Sequence, residues 1–429
     1  MSGIFTPDFR DTPYWWDDSP LAAADPADLP AKADHVVIGS GYTGLHAALR
    51  LARAGRHVVM LDAQAIGQGC STRNGGQISN SVKPGLAELT RRHGAETAAR
   101  IIADGFASRA FIEGFVRAEG LDCGFQVCGR FHAAHSARAF AALKAAGEQQ
   151  PPAFTTPVTI IPRKAQRAEI GSDYYHGGVV YHDHAAIDPG RYHRALVDLA
   201  LRAGVMLVPQ TRATALSPDA DGATVTTTRG TIRARDVILA TNGYSGALSP
   251  WHRRRIIPVG SYIIATEELP PALMDELIPK GRILSDSRRV VYYFRASPDR
   301  RRILFGGRVN AAETDPRSSA RRLHAEMLRI FPQLQGTRIS HSWMGFVGYS
   351  FDTLAHTGTR DRVHYAMGYC GSGVGMASYL GMKTAARLLG HGDAGLVGIP
   401  FPARPYYRGK PWFLPFAVEY YRIRDRLGW

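Results

Sequence analysis

The sequence predicts a mixed α/β (α+β) fold, in which a Rossmann-type domain, discontinuous in sequence, is joined to a domain built on an antiparallel sheet. An apolar run, a glycine-rich turn, a helical repeat and a second apolar run follow one another over residues 35–62, as in a parallel βαβ unit. Similar strand and helix patterns return near 187–208, 237–241 and 365–389. Between them, residues 123–185 and 256–346 carry short β-type runs. The first domain is therefore interrupted by the second.

The βαβ unit contains a binding motif for a dinucleotide. The strand at 35–38 leads directly into Gly39-Ser40-Gly41-Tyr42-Thr43-Gly44, and the second strand closes on Asp62. Glycine at 39 permits the tight turn, at 41 it lets a pyrophosphate approach the backbone, and at 44 it lets the helix pack on the strand. The helix N-terminus offers free N–H groups to the phosphates, and Asp62 stands where a carboxylate accepts the ribose hydroxyls. We expect an ADP-containing dinucleotide here.

Composition narrows the class of protein. The chain has 429 residues, 45% of them apolar, which is enough for two domains or one elaborated domain. No apolar run approaches the roughly 20 residues that span a bilayer, and the N-terminal segment lacks the pattern of a secretory signal. The four cysteines are too few and too irregularly spaced for a disulfide framework or a zinc site. We expect a reduced cytoplasmic protein without a transmembrane segment.

The excess of basic over acidic residues does not indicate nucleic-acid binding. The net charge is +15, but the arginines fall in short clusters such as 253–255 and 300–302, without interleaved aromatics. A basic face on a large enzyme explains this better than a nucleic-acid stripe, and its field would favour an anionic substrate or cofactor. His182-Asp183-His184 is a weak candidate for metal binding, and we expect no metal.

The pattern along the chain also predicts domain boundaries. Residues 1–33 form an irregular arm anchored by Tyr14-Trp15-Trp16, and residues 401–429 form a tail. The dinucleotide domain comprises 34–120, 186–255 and 347–400. The second domain comprises 121–185 and 256–346.

Several motifs in this order resemble those of the D-amino-acid-oxidase-like family of FAD-dependent amine and amino-acid oxidoreductases. Besides the first glycine-rich turn and Asp62, they are the segment 71–77 (STRNGGQ), Ile187-Asp188-Pro189, Ala240-Thr241-Asn242-Gly243 and Gly371-Ser-Gly-Val-Gly375. Tyr14-Trp15-Trp16, 73–77 and the tail segment 409–415 (GKPWFLP) are similar to the γ-glutamylputrescine oxidoreductase branch. The resemblance covers nearly the whole chain, and it implies an FAD domain and a sheet-based substrate domain with the flavin between them.

The resemblance implies FAD as the cofactor, and a second glycine-rich turn some 330 residues after the first supports FAD over NAD. A helix that begins at Gly373-Val374-Gly375 offers its N-terminus to the flavin N1–C2=O edge. No later segment repeats GxGxxG followed by an acid, so we expect no separate NAD(P)H site. The expected FAD-binding residues are Gly39, Ser40, Gly41, Tyr42, Thr43, Gly44, Asp62, Ala63, Ser71, Thr72, Arg73, Asn74, Gly75, Gly76, Gln77, Ala213, Thr241, Asn242, Gly243, Gly371, Ser372, Gly373, Val374, Gly375 and Met376.

The departures from the family pattern concern how the flavin is held. Asp62 stands where the family more often has Glu, and either carboxylate reaches the ribose. Asn74 occupies the place of a histidine through which some relatives attach the flavin. Residues 343–352, which match a segment where others have a cysteine, contain none. We therefore expect noncovalent FAD.

The resemblance implies oxidation of an amine or amino-acid-like substrate. A hydride passes from the α-carbon to flavin N5, and the resulting imine is hydrolysed. The residues expected to border the ring and serve the chemistry are Arg73, Asn74, Tyr262, Tyr293, Arg295 and Trp343, with Phe346 and Tyr349 nearby. Arg295 either pairs with a substrate carboxylate or is a surface arginine. His341 and His356 are expected to be structural, and no general base is assigned.

The electron acceptor stays open, with O2 favoured over another acceptor. A positive charge near N5 would help oxygen accept an electron. Lys83 is the one lysine near the expected site, although it also fits an ordinary surface residue; Arg73, Arg295 or the helix N-terminus at Gly373 are the other sources of charge. An FAD monooxygenase that uses NAD(P)H is the second hypothesis. A flavin-retaining binding protein without activity is the third.

Overall fold

The computed structural model describes residues 3–22, 28–308 and 313–428. The strands in chain order are β1 Phe5–Arg10, β2 Lys32–Ile38, β3 Val58–Leu61, β4 Gln77–Ile78, β5 Arg130–Ala133, β6 Val158–Pro162, β7 Gly177–Tyr181, β8 Ala185–Ala186, β9 Met206–Val208, β10 Ala213–Asp219, β11 Gly222–Thr227, β12 Gly230–Leu239, β13 Ile257–Thr266, β14 Ile283–Asp286, β15 Tyr292–Ala296, β16 Ile303–Gly307, β17 Ile339–Tyr349, β18 His356–Arg360 and β19 Val363–Met367. The α-helices are α1 Trp15–Asp18, α2 Tyr42–Arg53, α3 Leu86–His93, α4 Ala95–Ala118, α5 Ala137–Glu148, α6 Pro189–Arg202, α7 Pro250–Arg253, α8 Pro271–Leu277, α9 Pro316–Ile330, α10 Gly373–Leu388 and α11 Leu414–Arg426. Among these residues, no helix is both long and apolar enough to cross a membrane.

The first sheet is the predicted Rossmann-type sheet. Its central strand β2 pairs in parallel with β3 on one side and β12 on the other, β3 pairs with β9, and β12 pairs with β19. All four residues of β3 are buried, as expected for a parallel strand covered on both faces. Helices α2, α6 and α10 share one apolar cluster on this sheet. The sheet draws its strands from three separated stretches, so this domain is discontinuous in sequence, as predicted.

The second sheet has nine strands in the order β1-β17-β13-β16-β15-β14-β5-β7-β6. Its neighbours are antiparallel except for two parallel pairs, β1 with β17 and β14 with β5. One face packs against α9, where Leu323 and Met327 join Phe294 and Phe305 in a buried cluster. The other face carries Trp343 and a smaller cluster. The mixed fold with a predominantly antiparallel second sheet is confirmed.

The N-terminal arm differs from the irregular segment that the sequence suggested. Residues 5–10 form β1 at the edge of the second sheet, and α1 follows. Trp15 is 1% exposed and packs with Trp343, so the arm has a buried anchor of its own. Proline and acidic residues are uncommon in strands, and the sequence pattern of this segment therefore did not indicate one. Residues 1–2 and 23–27 of the predicted arm and residue 429 of the predicted tail lie outside the described residues, and the domain boundaries stay a prediction.

Candidate active site

The turn between β2 and α2 is built so closely that only glycine fits. A Cβ atom on Gly44 would lie 2.0 Å from the carbonyl oxygen of Gly39, and one on Gly39 would lie 2.9 Å from the carbonyl oxygen of Ala240. Gly39 also has a φ of +107°, which side chains rarely adopt. At Gly41 the backbone is extended, and an added Cβ would meet the Ser71 hydroxyl at 2.8 Å. These glycines form the cradle that a pyrophosphate needs at the start of α2.

Asp62 lies directly after β3, with its carboxylate beside this turn. Its Oδ2 atom accepts hydrogen bonds from the backbone N–H and the hydroxyl of Ser40 at 3.0 and 2.6 Å. Its Oδ1 atom accepts from the N–H of Gln64 at 3.0 Å. A carboxylate has about four lone-pair positions, so further acceptor capacity is left for ribose hydroxyls. Asp62 also accepts the N–H of Thr211 through its carbonyl, which brings the segment before Ala213 against Asp62 and Ala63.

The second glycine-rich turn meets the first. Helix α10 crosses α2 closely, since a Cβ on Gly381 would lie 2.3 Å from the carbonyl oxygen of Thr43. The hydroxyl groups of Thr43 and Tyr369 are 2.5 Å apart. Because Tyr369 precedes Gly371 by two positions, this contact sets the N-terminus of α10 beside that of α2. Around that N-terminus, Ser372 donates to the carbonyl of Ser81, and residues 374–376 are buried.

Three indole N–H groups hold the loop that follows the first turn. Trp15 donates to the carbonyl of Asn74 at 2.9 Å, and Trp16 donates to the hydroxyl of Thr72 at 3.0 Å. Trp343, from β17 of the second sheet, donates to the carbonyl of Arg73 at 2.9 Å. The predicted residue Trp343 therefore acts on this loop through a hydrogen bond to its backbone.

Side chains of the same loop are engaged within it. The Asn74 amide donates to the carbonyls of Cys70 and Ser71, and its oxygen accepts the N–H of Gly76. The Ser71 hydroxyl accepts the N–H of Tyr42 at 3.0 Å, which joins the loop to the first turn of α2. Asn74 is a positioning residue in this arrangement, since its amide shapes the loop that presents Gly75 and Gly76.

Arg73 and Gln77 connect the loop to the second sheet. The Arg73 guanidinium donates to the carbonyls of Gln68 and Met344 and lies 4.7 Å above the Trp16 ring. Burial lowers the pKa of Arg73. The Gln77 amide donates to two carbonyls of the second sheet, on β14 and β15. Both residues lie where the two sheets meet.

The segment Thr241–Gly243 also lies at this junction. The amide oxygen of Asn242 accepts the N–H of Gly368 at 2.9 Å. A Cβ on Gly243 would meet the carbonyl of Phe346 at 3.1 Å. Asn242 has a φ of +43°, a conformation that asparagine tolerates better than most residues. The predicted FAD segments from the first domain therefore come together with the end of β17.

Tyr293 and Arg295 share the face of the second sheet that carries Trp343. The Tyr293 hydroxyl lies 2.8 Å from that of Ser261, and its ring lies 3.1 Å from the position of a Cβ on Gly75. Arg295 is 8% exposed, so the alternative of a surface arginine is wrong. Its guanidinium donates to the carbonyls of Ala296 and Ile187 at 3.0 and 2.9 Å, and burial lowers its pKa.

Tyr262 does not join this group, and the expectation that it borders the ring is corrected. On β13, Tyr262 pairs with Met344 and Gly307, whereas its neighbour Ile263 pairs with Trp343. Successive side chains of a strand point to opposite faces, so Tyr262 lies on the face covered by α9. There its hydroxyl donates to Glu313 at 2.9 Å. Both faces of this sheet are covered, and the sequence pattern therefore left the choice of face open.

A group of cationic residues near the junction escaped the sequence reasoning. The charges of Arg130, on β5, and of Arg289 both act on Lys83, whereas burial lowers the pKa of the neighbouring His132 to about 3 and leaves it neutral. Burial lowers the pKa of Arg130 to about 10, and its buried Nε atom has no hydrogen-bond partner within the described part of the chain. The signal available in the sequence was the alternation of basic residues at 130 and 132.

For Lys83, the sequence left two alternatives open, a positive charge near the flavin or an ordinary surface residue. Its side chain is exposed, and desolvation by the surrounding protein lowers its pKa. Lys83 lines a small cavity together with Tyr369, Cys370 and Ser372. This cavity lies beside the N-terminus of α10. Lys83 is therefore an exposed residue that also lines this cavity.

The remaining candidates have structural partners. His341 lies 3.1 Å from Asp17, and His356 lies 3.0 Å from Asp352 and stacks on Phe401. His182 contacts Thr159, and His184 contacts Asn80. Among the residues that the structure describes, no three histidine, cysteine or acidic side chains could hold a metal.

Comparison with known proteins agrees with this geometry. Residues 34–387 match the family model of FAD dependent oxidoreductases (DAO), and the chain belongs to this family. The chain is similar to γ-glutamylputrescine oxidoreductase of Escherichia coli K12, with 32% identity over 95% of this chain and 96% of the relative.

Solved structures share the fold at lower identity. Glycine oxidase from Geobacillus kaustophilus superimposes with a TM-score of 0.70 at 17% identity, covering 88% of this chain and all of that one. L-proline dehydrogenase from P. horikoshii also gives 0.70, at 18% identity over 91% of this chain and 99% of that one. The family acts on amines or amino acids with FAD, and the fold is the one predicted.

Proposed function

We propose that the protein holds FAD noncovalently and oxidises the C–N bond of an amine that carries a carboxylate, forming an imine that water hydrolyses. The observation that carries the proposal is the convergence of both glycine-rich turns, through Thr43 and Tyr369, near the cationic residues Lys83, Arg130 and Arg289. Bound FAD supplies the hydride acceptor for this oxidation. Gly39, Gly41, Gly44 and Asp62 would hold its ADP half.

Noncovalent binding is supported by the state of the nearby thiols. Cys70 contacts the position of a Cβ on Gly345, and Cys370 lies against Ser350. Burial raises the pKa of each thiol to about 11. A thiol of this kind stays protonated at neutral pH and is a poor nucleophile. Asn74 has no nucleophilic nitrogen to replace the histidine of covalent relatives.

We also propose a cytoplasmic location. The four free cysteines support it, because thiols stay reduced in the cytoplasm.

The substrate carboxylate fits the cationic group of Lys83, Arg130 and Arg289. An anion there would supply the partner that the buried Nε of Arg130 lacks. Arg295 does not belong to this cationic group. Its guanidinium donates hydrogen bonds to the backbone carbonyls of Ile187 and Gly76, so we propose that it holds these two residues in place. The name of the E. coli relative, γ-glutamylputrescine oxidoreductase, supports a substrate of this class, since a γ-glutamyl conjugate of an amine carries one carboxylate.

The side chains of the protein would position the substrate and exclude water, and none of them would bond covalently to the substrate. Trp15 and Trp343 close the loop 70–77 from two sides with buried indole rings. A water-poor site favours the neutral amine, whose lone pair must be free for the imine to form. Tyr293, beside Gly75, would bound the substrate on the sheet side.

We propose O2 as the electron acceptor, with hydrogen peroxide as the second product. The cation of Lys83 near the N-terminus of α10 supports this, because positive charge favours transfer of an electron to oxygen. A dehydrogenase that passes electrons to another acceptor is the second candidate. It would follow if the Lys83 cation pairs with the substrate carboxylate and is then not free to favour electron transfer to oxygen.

Two assays test this proposal. Purified protein incubated in air with a panel of amines should release hydrogen peroxide and aldehyde in equal amounts, with carboxylate-bearing amines the best substrates. Substrate-reduced protein mixed with aerated buffer should reoxidise within the turnover time. Slow reoxidation, with turnover restored by an artificial acceptor, would replace the oxidase with a dehydrogenase; aldehyde formation only with NADPH present would replace it with a monooxygenase.

A further inference from the structure

Helix α11 carries an exposed apolar stripe. Phe416, Tyr420, Ile423 and Leu427 follow one another at spacings of four, three and four, and Trp412 continues the series before the helix begins. Phe416 is 73% exposed, and the other four are between 54% and 57% exposed. At 3.6 residues per turn these positions fall on one side of the helix. A soluble surface rarely gathers so many large apolar side chains in one line.

The stripe belongs to a helix that is fixed in place by its opposite side. The carboxylate of Asp425 accepts the backbone N–H groups of Arg289 and Val290 at 2.9 and 3.0 Å. Arg422 donates to the carbonyl of Arg308, and Val418 is 5% exposed. The apolar side chains are therefore held outward by a docked helix and are not the free side of a fraying terminus.

The charges around the stripe are basic. At 3.6 residues per turn, Arg424 and Arg426 lie about 80° to either side of the stripe's centre. The segment 401–428 also contains the exposed residues Arg404, Arg408 and Lys410, against two acids, Glu419 and Asp425. Glu419 pairs with Arg422, and Asp425 is occupied by the two backbone N–H groups. The net field at this surface is therefore positive.

We propose that α11 docks the protein on the surface of an anionic phospholipid bilayer. The helix would lie parallel to the surface, with Phe416, Ile423 and Leu427 among the acyl chains and the aromatic residues Trp412 and Tyr420 at the headgroup level. Arg424 and Arg426 would extend from both sides of the stripe to lipid phosphates. This docking does not depend on the reaction that the protein catalyses.

A second copy of the chain is the competing occupant, and the stripe suits it less well. The helix is about 20 Å long, and its stripe is one side chain wide, which is short of the roughly 800 Å² per partner of a standard interface. Two copies facing through this stripe would also bring Arg424 and Arg426 of each against the same residues of the other. An anionic surface meets both the apolar and the cationic groups.

Co-sedimentation of the full-length protein with vesicles tests the proposal. Protein should pellet with vesicles of phosphatidylcholine mixed with phosphatidylglycerol and stay in solution with phosphatidylcholine alone. The double variant Phe416→Ser/Tyr420→Ser should bind about tenfold or more weakly, and Leu201→Ser, an exposed leucine on α6, should bind like the wild type. Arg424→Gln/Arg426→Gln should lose a similar factor, and Arg100→Gln/Arg138→Gln, with both arginines exposed, should not.

Light scattering after size exclusion and circular dichroism complete the test. The variants should keep the wild-type mass and thermal transition, which separates lost docking from lost folding. Failure of the wild type to pellet with anionic vesicles, or equal pelleting with neutral ones, would overturn the proposal. A wild-type dimer that Phe416→Ser/Tyr420→Ser converts to a monomer would assign the stripe to a second copy instead.

Discussion

The hydroxyl of Thr43 hydrogen-bonds that of Tyr369 at 2.5 Å, across 326 positions of sequence. Tyr369 donates its own proton to the carbonyl of Ala366 at 2.7 Å, and a carbonyl can only accept. Since each hydroxyl has one proton, Thr43 is the donor in the first bond. This buried pair joins the two turns that would face the two ends of the dinucleotide.

Tyr369→Phe removes the acceptor and leaves the Thr43 hydroxyl without its partner. We expect the free energy of unfolding to fall by about 1–2 kcal/mol, the usual cost of such a loss, and FAD to bind more weakly. Chemical unfolding and titration of the FAD-free protein measure the two effects. Tyr406→Phe, at an exposed tyrosine, should change neither; full FAD affinity in Tyr369→Phe would remove the pair from the account of the site.

Gly44→Ala places a methyl group 2.0 Å from the carbonyl oxygen of Gly39. The helix and strand must separate, and we expect a loss of about 1–3 kcal/mol in stability together with loss of bound FAD. Gly114→Ala is the matched control, since Gly114 is also helical and an added Cβ there meets nothing within 4 Å. It should keep FAD and raise stability by up to about 1 kcal/mol. Equal flavin content in the two variants would argue against the cradle.

Arg130→Gln keeps a polar side chain and removes the buried charge. For an amine with a carboxylate we expect KM to rise about tenfold, because a charge-assisted hydrogen bond contributes about 1.5–3 kcal/mol. For an analogue without the carboxylate, KM should change little. Arg100→Gln, an exposed residue, controls for net charge. An equal rise for both substrates would mean that Arg130 supports the fold and does not recognise the carboxylate.

His46 couples stability to acid pH. It is buried beside the Tyr192 hydroxyl at 2.7 Å, and burial lowers its pKa from 6.5 to about 3. Between these two pH values the unfolded chain binds a proton there and the folded chain does not, so stability falls as pH decreases. The expected slope from this residue is about 1.4 kcal/mol per pH unit. His46→Gln should flatten the dependence by that amount in unfolding titrations, whereas His57→Gln, at an exposed residue, should reproduce the wild-type curve.

The sequence contained enough to predict the first domain because its signals are local. The motif that marks it, from Gly39 through Gly44 to Asp62, lies within 24 consecutive residues, and its close contacts between Gly44 and Gly39 and between Ser40 and Asp62 are also local. The family and its FAD dependence followed from motifs of the same kind, and the family match confirms them.

The predictions that were wrong or missing concern residues whose placement depends on long-range packing. Tyr262 was expected to border the ring with Tyr293 and Arg295 but lies on the opposite face of the sheet. A strand covered on both sides has no polar side to mark which of its residues face the site. The cationic group of Lys83, Arg130 and Arg289 comes from three separate segments, and no sequence window contains it. Strand β1 is held at a sheet edge through pairing with β17, for example Phe5 with Ile339, although its own composition favours a loop.

Anaerobic mixing of the purified yellow protein with a carboxylate-bearing secondary or primary amine tests the central claim most directly. We predict that the amine bleaches the flavin absorbance in full, that NADPH does not, and that acid denaturation of the same protein releases intact FAD into the supernatant. Bleaching by NADPH alone, or flavin that stays intact with every amine in the panel, would contradict the assignment.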